Sequence, residues 1–446
     1  TLSSSSAASD VYKRQRQILD LIVGFTTSPI LWKYISRKAE KGLSAGRCQT
    51  PALRLVYENE QQCKKAKGEN VYETDGKFSH MNIGYKLNHF FKDCDSVKRF
   101  LEDTKQHEHI LNTTQKKKMK KSPPKPFITS TLQQKASNMY NFSPKNTMKL
   151  AQTLYENGFI TYMRTDNAKY SKDFIDATKQ YIEDKWNAKY INQNIDSISL
   201  KDEKGEGGDE KREEKKEERK DEKKTETKDL AQEAHEAIRP TNIFTETIQN
   251  NPKIGKYELK LYQLIWKNSL QSCMSSSMYD VILSTITSPE SYVYKNSTEK
   301  NIFPGWEAVE GVELTNDVFE YLYSIFNGDK IKKVSFSEIK SDMAIKKLKS
   351  HYTEARLVQL LEKNGIGRPS TFSSLVSKII DRNYVIKTNI PGKKLECINY
   401  ILKKDADVKE SKKVRTFGEE KNKLKIEPVG VVVCLLYTSP SPRDKR

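Results

Sequence analysis

Residues 201–229 read KDEKGEGGDEKREEKKEERKDEKKTETKD, a stretch almost wholly charged and without one aliphatic side chain. Such a run cannot offset its ordering entropy by burying apolar surface, so the core-forming sequence must lie on either side of it. Composition predicts disorder here, with a long solvent-exposed helix as the alternative because Glu and Lys are good helix formers. A coiled coil is excluded, since the run has no apolar a and d positions. Its charges nearly cancel. The formal net charge of +19 on 446 residues therefore resides in the flanking sequence, where it suggests an extended anionic partner.

A membrane surface is the poorer candidate for that partner. The longest apolar run, Val431 to Tyr437, is far short of the roughly 20 residues that a helical span needs. The six cysteines, Cys48, Cys63, Cys94, Cys273, Cys397 and Cys434, include no Cys-x-x-Cys pair. That argues against a zinc site or a disulfide framework and fits a reducing, intracellular setting. Neither end carries a sustained hydrophobic period. Residues 1–15 (TLSSSSAASDVYKRQ) and 431–446 are expected to be a foreign leader and tail resembling translated adapter sequence. The remainder then reads as an internal piece of a longer protein.

The length admits two to four domains. From Arg16 to about Lys67 the pattern is helical, with Ile18, Leu21, Ile22, Ile30 and Leu31 as an apolar face. Short alternating runs continue to about Ser122 and read as strands. Helical periodicity returns from Pro126 and is expected to end in a strand, Phe159 to Met163. After the charged run comes a helix near Tyr257 to Met274, then strand-like sequence to about Val334. The last section, about Ser350 to Gly430, is helical and then becomes short strands. The two sheet-like sections could be one domain interrupted by an insertion, which spacing alone leaves open. There is no repeat of solenoid period.

Four places concentrate chemistry. In GLSAGRCQTPAL, Thr50 is the expected N-cap and Pro51 the first helical residue, placing Gly46 and Arg47 before a helix N-terminus suited to a phosphate. In YTEARLVQLLEKNGIGRPSTF, Thr353 caps one helix and Gly365 stops it. Arg368 occupies the turn, and Ser370 or Thr371 starts the next helix. This is the outline of a helix-turn-helix unit. In SPKNTMKLAQTLYENGFITYMRTDN, an extended run after Gly158 would place Tyr162 and Arg164 on one face. A phenol can act as nucleophile while a guanidinium stabilises charge on a phosphate, though the same spacing fits an ordinary strand tyrosine near a surface arginine. In AHEAIRPT, His235 and Arg239 would share one face of a helical turn as a phosphate clamp, a structural histidine being the alternative.

Taken in order, LSAGRCQTPAL, PFITSTLQQKAS, LYENGFITYMRTDN, AHEAIRPT and YTEARLV…NGIGRPST resemble the successive signatures of type IA DNA topoisomerases of the bacterial topoisomerase I kind. The resemblance runs from Arg16 to about Gly430, outside the charged run. It implies an α+β multidomain toroid, here incomplete: a helical base (16–67 with 346–430), a sheet-rich arch (68–123 with 249–345) and a tyrosine domain (124–248, containing 201–229). It implies ATP-independent cleavage and religation of a DNA strand, relaxing negative supercoils, and no Walker-type loop is present. Tyr162 corresponds to the tyrosine that forms a 5′-phosphotyrosyl link, and Arg164 to the arginine that positions the scissile phosphate. His235 corresponds to a histidine near the bound strand, and Arg47, Arg239, Arg368 and Thr371 fall in motifs expected to contact DNA. The implied partners are single-stranded and negatively supercoiled DNA, bound by a monomer wherever the DNA lies, nucleoid or nucleus. Asn167 departs from the serine common after YMRTD. The family's Mg²⁺ is held by an acidic Toprim domain preceding the first signature. No Asp-x-Asp-x-Glu cluster occurs in this sequence, so no metal site is expected in the chain and the piece is expected to be inactive alone. The rival reading is a basic helix-turn-helix module that binds nucleic acid without chemistry.

Overall fold

The computed structural model describes residues 2–35, 42–200, 236–249, 251–328 and 331–438. The charged run 201–229 and His235 lie outside the described residues. Two helices open the chain, α1 (Leu2–Tyr34) and α2 (Gln49–Lys65). They lead into β1 (Glu69–Phe78), β2 (Ile83–Phe91), α3 (Cys94–Gln106), β3 (Ile110–Thr113) and β4 (Lys117–Lys121). A helical section comes next, α4 (Thr129–Tyr140), α5 (Pro144–Glu156), α6 (Lys172–Lys185) and α7 (Lys256–Ser272). The chain then forms β5 (Ser277–Thr287), β6 (Val293–Phe303), α8 (Asp317–Asn327), β7 (Ile331–Lys333) and β8 (Phe336–Lys346). It closes with α9 (Glu354–Lys363), α10 (Phe372–Asp381), β9 (Val385–Ile390), β10 (Lys393–Lys403), β11 (Lys409–Phe417), β12 (Glu420–Ile426) and α11 (Pro428–Thr438).

The two sheet-like stretches form one antiparallel sheet, ordered β11-β10-β8-β1-β2-β6-β5-β3-β7, with β4 also on β5. Lys117 to Lys121 of β4 pair with Val281 to Ser277 of β5, so the section α4–α7 is inserted between adjacent strands. Alternation drives the packing: Ile83, Tyr85 and Leu87 of β2 point inward while Gly84, Lys86 and Asn88 face solvent. The buried face meets Phe100 and Leu101 of α3 and Phe319 and Leu322 of α8 around Phe78. The hairpin β10–β11 joins this sheet through β8, with Tyr400 opposite Ser341. Residues 393–417 therefore extend the arch sheet, which corrects the expectation that all of 346–430 belongs to the base.

A second core fills the inserted helical unit, built on Leu132, Leu154, Ile160, Met163, Ile182 and Leu270. The third unites α2, α9, α10, β9, β12 and α11 through Leu53, Val56, Leu357, Val376, Val385 and Leu424. Val433 and Cys434 of α11 are buried in it, and residues 2–15 form the start of α1. Of the apolar face expected on α1, Leu31 is buried while Ile18, Leu21, Ile22 and Ile30 are exposed. Among the described residues no helix is long and apolar enough to cross a membrane.

The linker from β8 into α9 is pinned to α2 and β12 by His351. Its Nδ1 lies 2.6 Å from Glu420 Oε2 and its Nε2 lies 3.3 Å from Glu60 Oε2. Burial alone would raise the Glu420 carboxyl. Hydrogen bonds from the His351 ring and backbone N–H and from Ser350, with the nearby Lys423 charge, outweigh burial and leave it below the ordinary carboxylate range. A depressed folded pKa contributes stability that is complete above the unfolded value of about 4.3 and is lost as pH falls through the folded value. Glu420→Gln should therefore lower the melting temperature at pH 7, and the gap from wild type should close below about pH 4. Melting curves from pH 7 to pH 3 check this; a gap that stays constant throughout would remove Glu420 from the acid response.

Candidate active site

Helix α5 begins where Ser143 Oγ accepts the Asn146 N–H at 3.1 Å and Pro144 takes the first turn. It ends in a Schellman motif: Gly158, at φ +75°, donates to Tyr155 O, and Phe159 donates to Leu154 O, both at 2.9 Å. The same arrangement ends α9 at Gly365 and α10 at Asn383. Each helix is thus stopped at a fixed residue and its chain is launched in a fixed direction.

Beyond α5, residues Phe159 to Met163 do not form the ladder strand expected of them. Ile160 makes a single bridge to Pro240, and the backbone bends at Met163. The alternation survives nonetheless. Met163, Thr165 and Asn167 are buried, Arg164 and Asp166 are exposed, and Tyr162 is half-buried, its ring packed against the core of the helical unit. The Tyr155 ring stands edge-on to the Tyr162 ring at 5.3 Å.

Two distant segments fix this run. On its N-terminal side, Thr161 N–H donates to Arg239 O at 2.9 Å and Thr161 Oγ1 to Ala237 O at 2.9 Å, while Thr241 N–H donates to Phe159 O. On its C-terminal side, Thr129 at the start of α4 bonds the peptide groups of Met163 and Thr165. Residues 236–240 are therefore extended, which corrects the helical turn expected for AHEAIRPT. Arg239 grips Glu236 through two hydrogen bonds of 2.8 Å, donates to Pro240 O and Ser171 Oγ, and lies over the Phe174 ring at 4.4 Å. Its donors serve the protein, so it is no open phosphate clamp.

The remaining candidates lie on the elements of the third core. Helix α2 starts at Gln49, with Cys48 at the cap position and Thr50 buried inside the first turn, accepting from Gly46 N–H. Thr50 is thus not the N-cap, because its hydroxyl is turned back into the loop. Arg47 holds Asp20 of α1 through two bonds of 3.0 and 3.2 Å. Its loop is tied to the end of α10 by Tyr384, which accepts from Ser44 N–H, and by Arg382, which donates to Gln49. Arg368 is exposed in the α9–α10 turn, where Thr371 Oγ1 accepts its N–H at 2.9 Å. Gly367 sits at φ +86°, where a side chain would be strained, and a β-carbon there would also meet the Leu375 side chain at 2.9 Å.

Helices α4 and α5 pack on α9 and α10, bringing Arg368 toward the tyrosine segment. A cavity of about 70 Å³ between them is lined by Asp166, Glu362, Arg368 and Phe372. Ser130 Oγ donates to Glu362 across this boundary at 2.6 Å. Burial pushes the Glu362 carboxyl up and Asp166 adds to it, against the Ser130 bond. Sequence reasoning missed Thr129, Ser130 and Glu362. Polar residues at a helix start and in a helix's last turn carry no local mark of the segments they will meet.

A half-buried phenol and an exposed guanidinium two residues apart, on backbone held from both sides, are of the types that can attack and hold a phosphodiester. A family model described as DNA topoisomerase matches residues 11–413. DNA topoisomerase 1 of Haemophilus influenzae is 34% identical over 391 residues, and that of Escherichia coli 32% over 384. Each match covers 84% of this chain and 40% of the relative. The solved structure of full-length topoisomerase I from Thermotoga maritima superposes with a TM-score of 0.64 at 30% identity, covering 84% of this chain and 57% of that one. The chain thus spans under half the length of these two curated relatives. By motifs, fold and this similarity, it belongs to the type IA DNA topoisomerases.

Proposed function

We propose that Tyr162 is the nucleophile of a DNA strand-passage reaction. Its oxygen loses the phenolic proton and attacks a backbone phosphorus, the bond to the 3′ oxygen breaks, and that oxygen takes up a proton to leave as a hydroxyl, so no net proton is consumed. The enzyme holds the 5′ end as a phosphotyrosine until the reverse step reseals the strand. Because the covalent link conserves the bond energy, ATP is not needed and negative supercoils are relaxed. The observation that carries this reading is the double clamp on the segment that holds the half-buried Tyr162 and the exposed Arg164. Arg164 neutralises the phosphate. Arg368 and Thr371, and Arg47 with His235, contact the DNA backbone, in a monomer acting inside the cell where DNA lies. We assign 16–67 with 346–392 and 418–430 to the base, 68–123 and 249–345 with the 393–417 hairpin to the arch, and 124–248 to the tyrosine unit.

The family's Mg²⁺ would polarise the phosphate region. Among the described residues no group of three or more His, Cys, Asp or Glu could hold a metal. These residues do not fit the ion. The 446-residue chain alone should bind single-stranded DNA without cutting it. Binding should weaken with salt at a log–log slope of about −0.7 per phosphate neutralised. The test incubates the chain with labelled oligonucleotide and Mg²⁺, alone and with the acidic domain of the Thermotoga relative. Adduct only in the second mixture supports the reading. Cleavage by the chain alone would overturn the need for the acidic domain, and salt-sensitive binding without adduct in either mixture favours the non-catalytic helix-turn-helix module.

A further inference from the structure

We propose that Thr129 is a positioning residue for the cleaving pair, fixing the peptide groups on both sides of Arg164. This rests on the reading of Tyr162 and Arg164 above. Thr129 opens α4 and is fully buried. Its N–H donates to Thr165 O at 3.0 Å, and its Oγ1 accepts from Thr165 N–H at 2.9 Å. Oγ1 lies 2.8 Å from Met163 O and 3.0 Å from Thr165 O. The Thr165 carbonyl already has the Thr129 N–H, so the single hydroxyl proton goes to Met163.

One side chain thus bonds residues 163 and 165 and leaves the peptide of residue 164 suspended between them. Both bonded residues are buried, Met163 at 0% and Thr165 at 1% exposure, so backbone geometry alone sets where the exposed Arg164 side chain emerges. The next residue of α4, Ser130, bonds Glu362 of α9. The first turn of α4 therefore aligns the cleaving segment with the base that carries Arg368. Valine at 129 would keep the shape and remove both the donor and the acceptor, leaving a buried carbonyl and a buried N–H without the partners Thr129 supplies. Serine keeps the hydroxyl.

Two measurements on Thr129→Val and Thr129→Ser decide the matter. In the full chain, amide hydrogen exchange at residues 164–166 should quicken by about tenfold in the valine variant, with α5 and α7 as protected as in wild type. In the mixture with the acidic domain, adduct formation should slow by about 10- to 100-fold at unchanged oligonucleotide affinity. Serine should restore both. Wild-type exchange at Thr165 in the valine variant overturns the proposal, as does quickened exchange with a wild-type cleavage rate. Loss of protection throughout α4–α7 in both variants also overturns it, since the role would then be general stability. If wild type itself forms no adduct, the reading of Tyr162 fails, and the exchange data still decide whether Thr129 holds the segment.

Discussion

Tyr162→Phe is expected to abolish covalent capture of DNA while leaving oligonucleotide affinity within about twofold of wild type, since only the hydroxyl is lost. The ring remains to pack edge-on against Tyr155, 5.3 Å away, so the segment should keep its course. Arg164→Ala should depress cleavage by about 2–4 kcal/mol, or some 30- to 1000-fold, if its guanidinium stabilises charge on the phosphate in the transition state. Arg164→Lys should recover little, because an ammonium lacks the planar fork. The measurement is single-turnover adduct formation in the mixture with the acidic domain. A phenylalanine variant that still forms a phosphodiester adduct would falsify the assignment of the nucleophile.

The second large effect concerns Arg239, whose motif suggested DNA contact and whose geometry gives it a structural task. Its side chain is 12% exposed and that of Glu236 is 23% exposed, joined at 2.8 Å. Removing one partner of such a pair strands the other, and Arg239 also covers Phe174 and bonds Ser171 Oγ. Arg239→Ala should destabilise the tyrosine unit by about 2–4 kcal/mol. Urea unfolding followed by tryptophan fluorescence reads this directly, since Trp266 is buried in that unit's core. The salt slope of DNA binding should shift by less than one phosphate's worth. A variant that unfolds like wild type but loses a full phosphate contact would return Arg239 to the DNA interface.

Much of the site was legible where the chemistry is local. Ser143 with Pro144 starts α5, Gly158 stops it, and Thr353 and Gly365 bound α9, because caps and left-handed glycines act within a few residues of themselves. Thr50 misled for the same local reason: it has an N-cap's side chain, and only the packed loop reveals that it bonds Gly46 instead. The alternation of 163, 165 and 167 inward held even though no strand ladder formed, since an extended backbone alternates its side chains whether or not it is paired.

By itself the sequence determined where α5 and α9 begin and end and the order of the motifs. It also determined that the positive surplus lies in the motif-bearing parts. Only the tertiary structure decided that β4 meets β5 across the inserted helical unit, and that the β10–β11 hairpin leaves the base for the sheet. It likewise decided that PFITS and EAIRPT are the two hands holding Tyr162, with Arg239 spent on Glu236. The physical reason is range. A cap or a turn is satisfied by neighbours in the chain, whereas a strand edge or a buried hydroxyl will accept any matching backbone group. Which distant group arrives is fixed only when the three cores close.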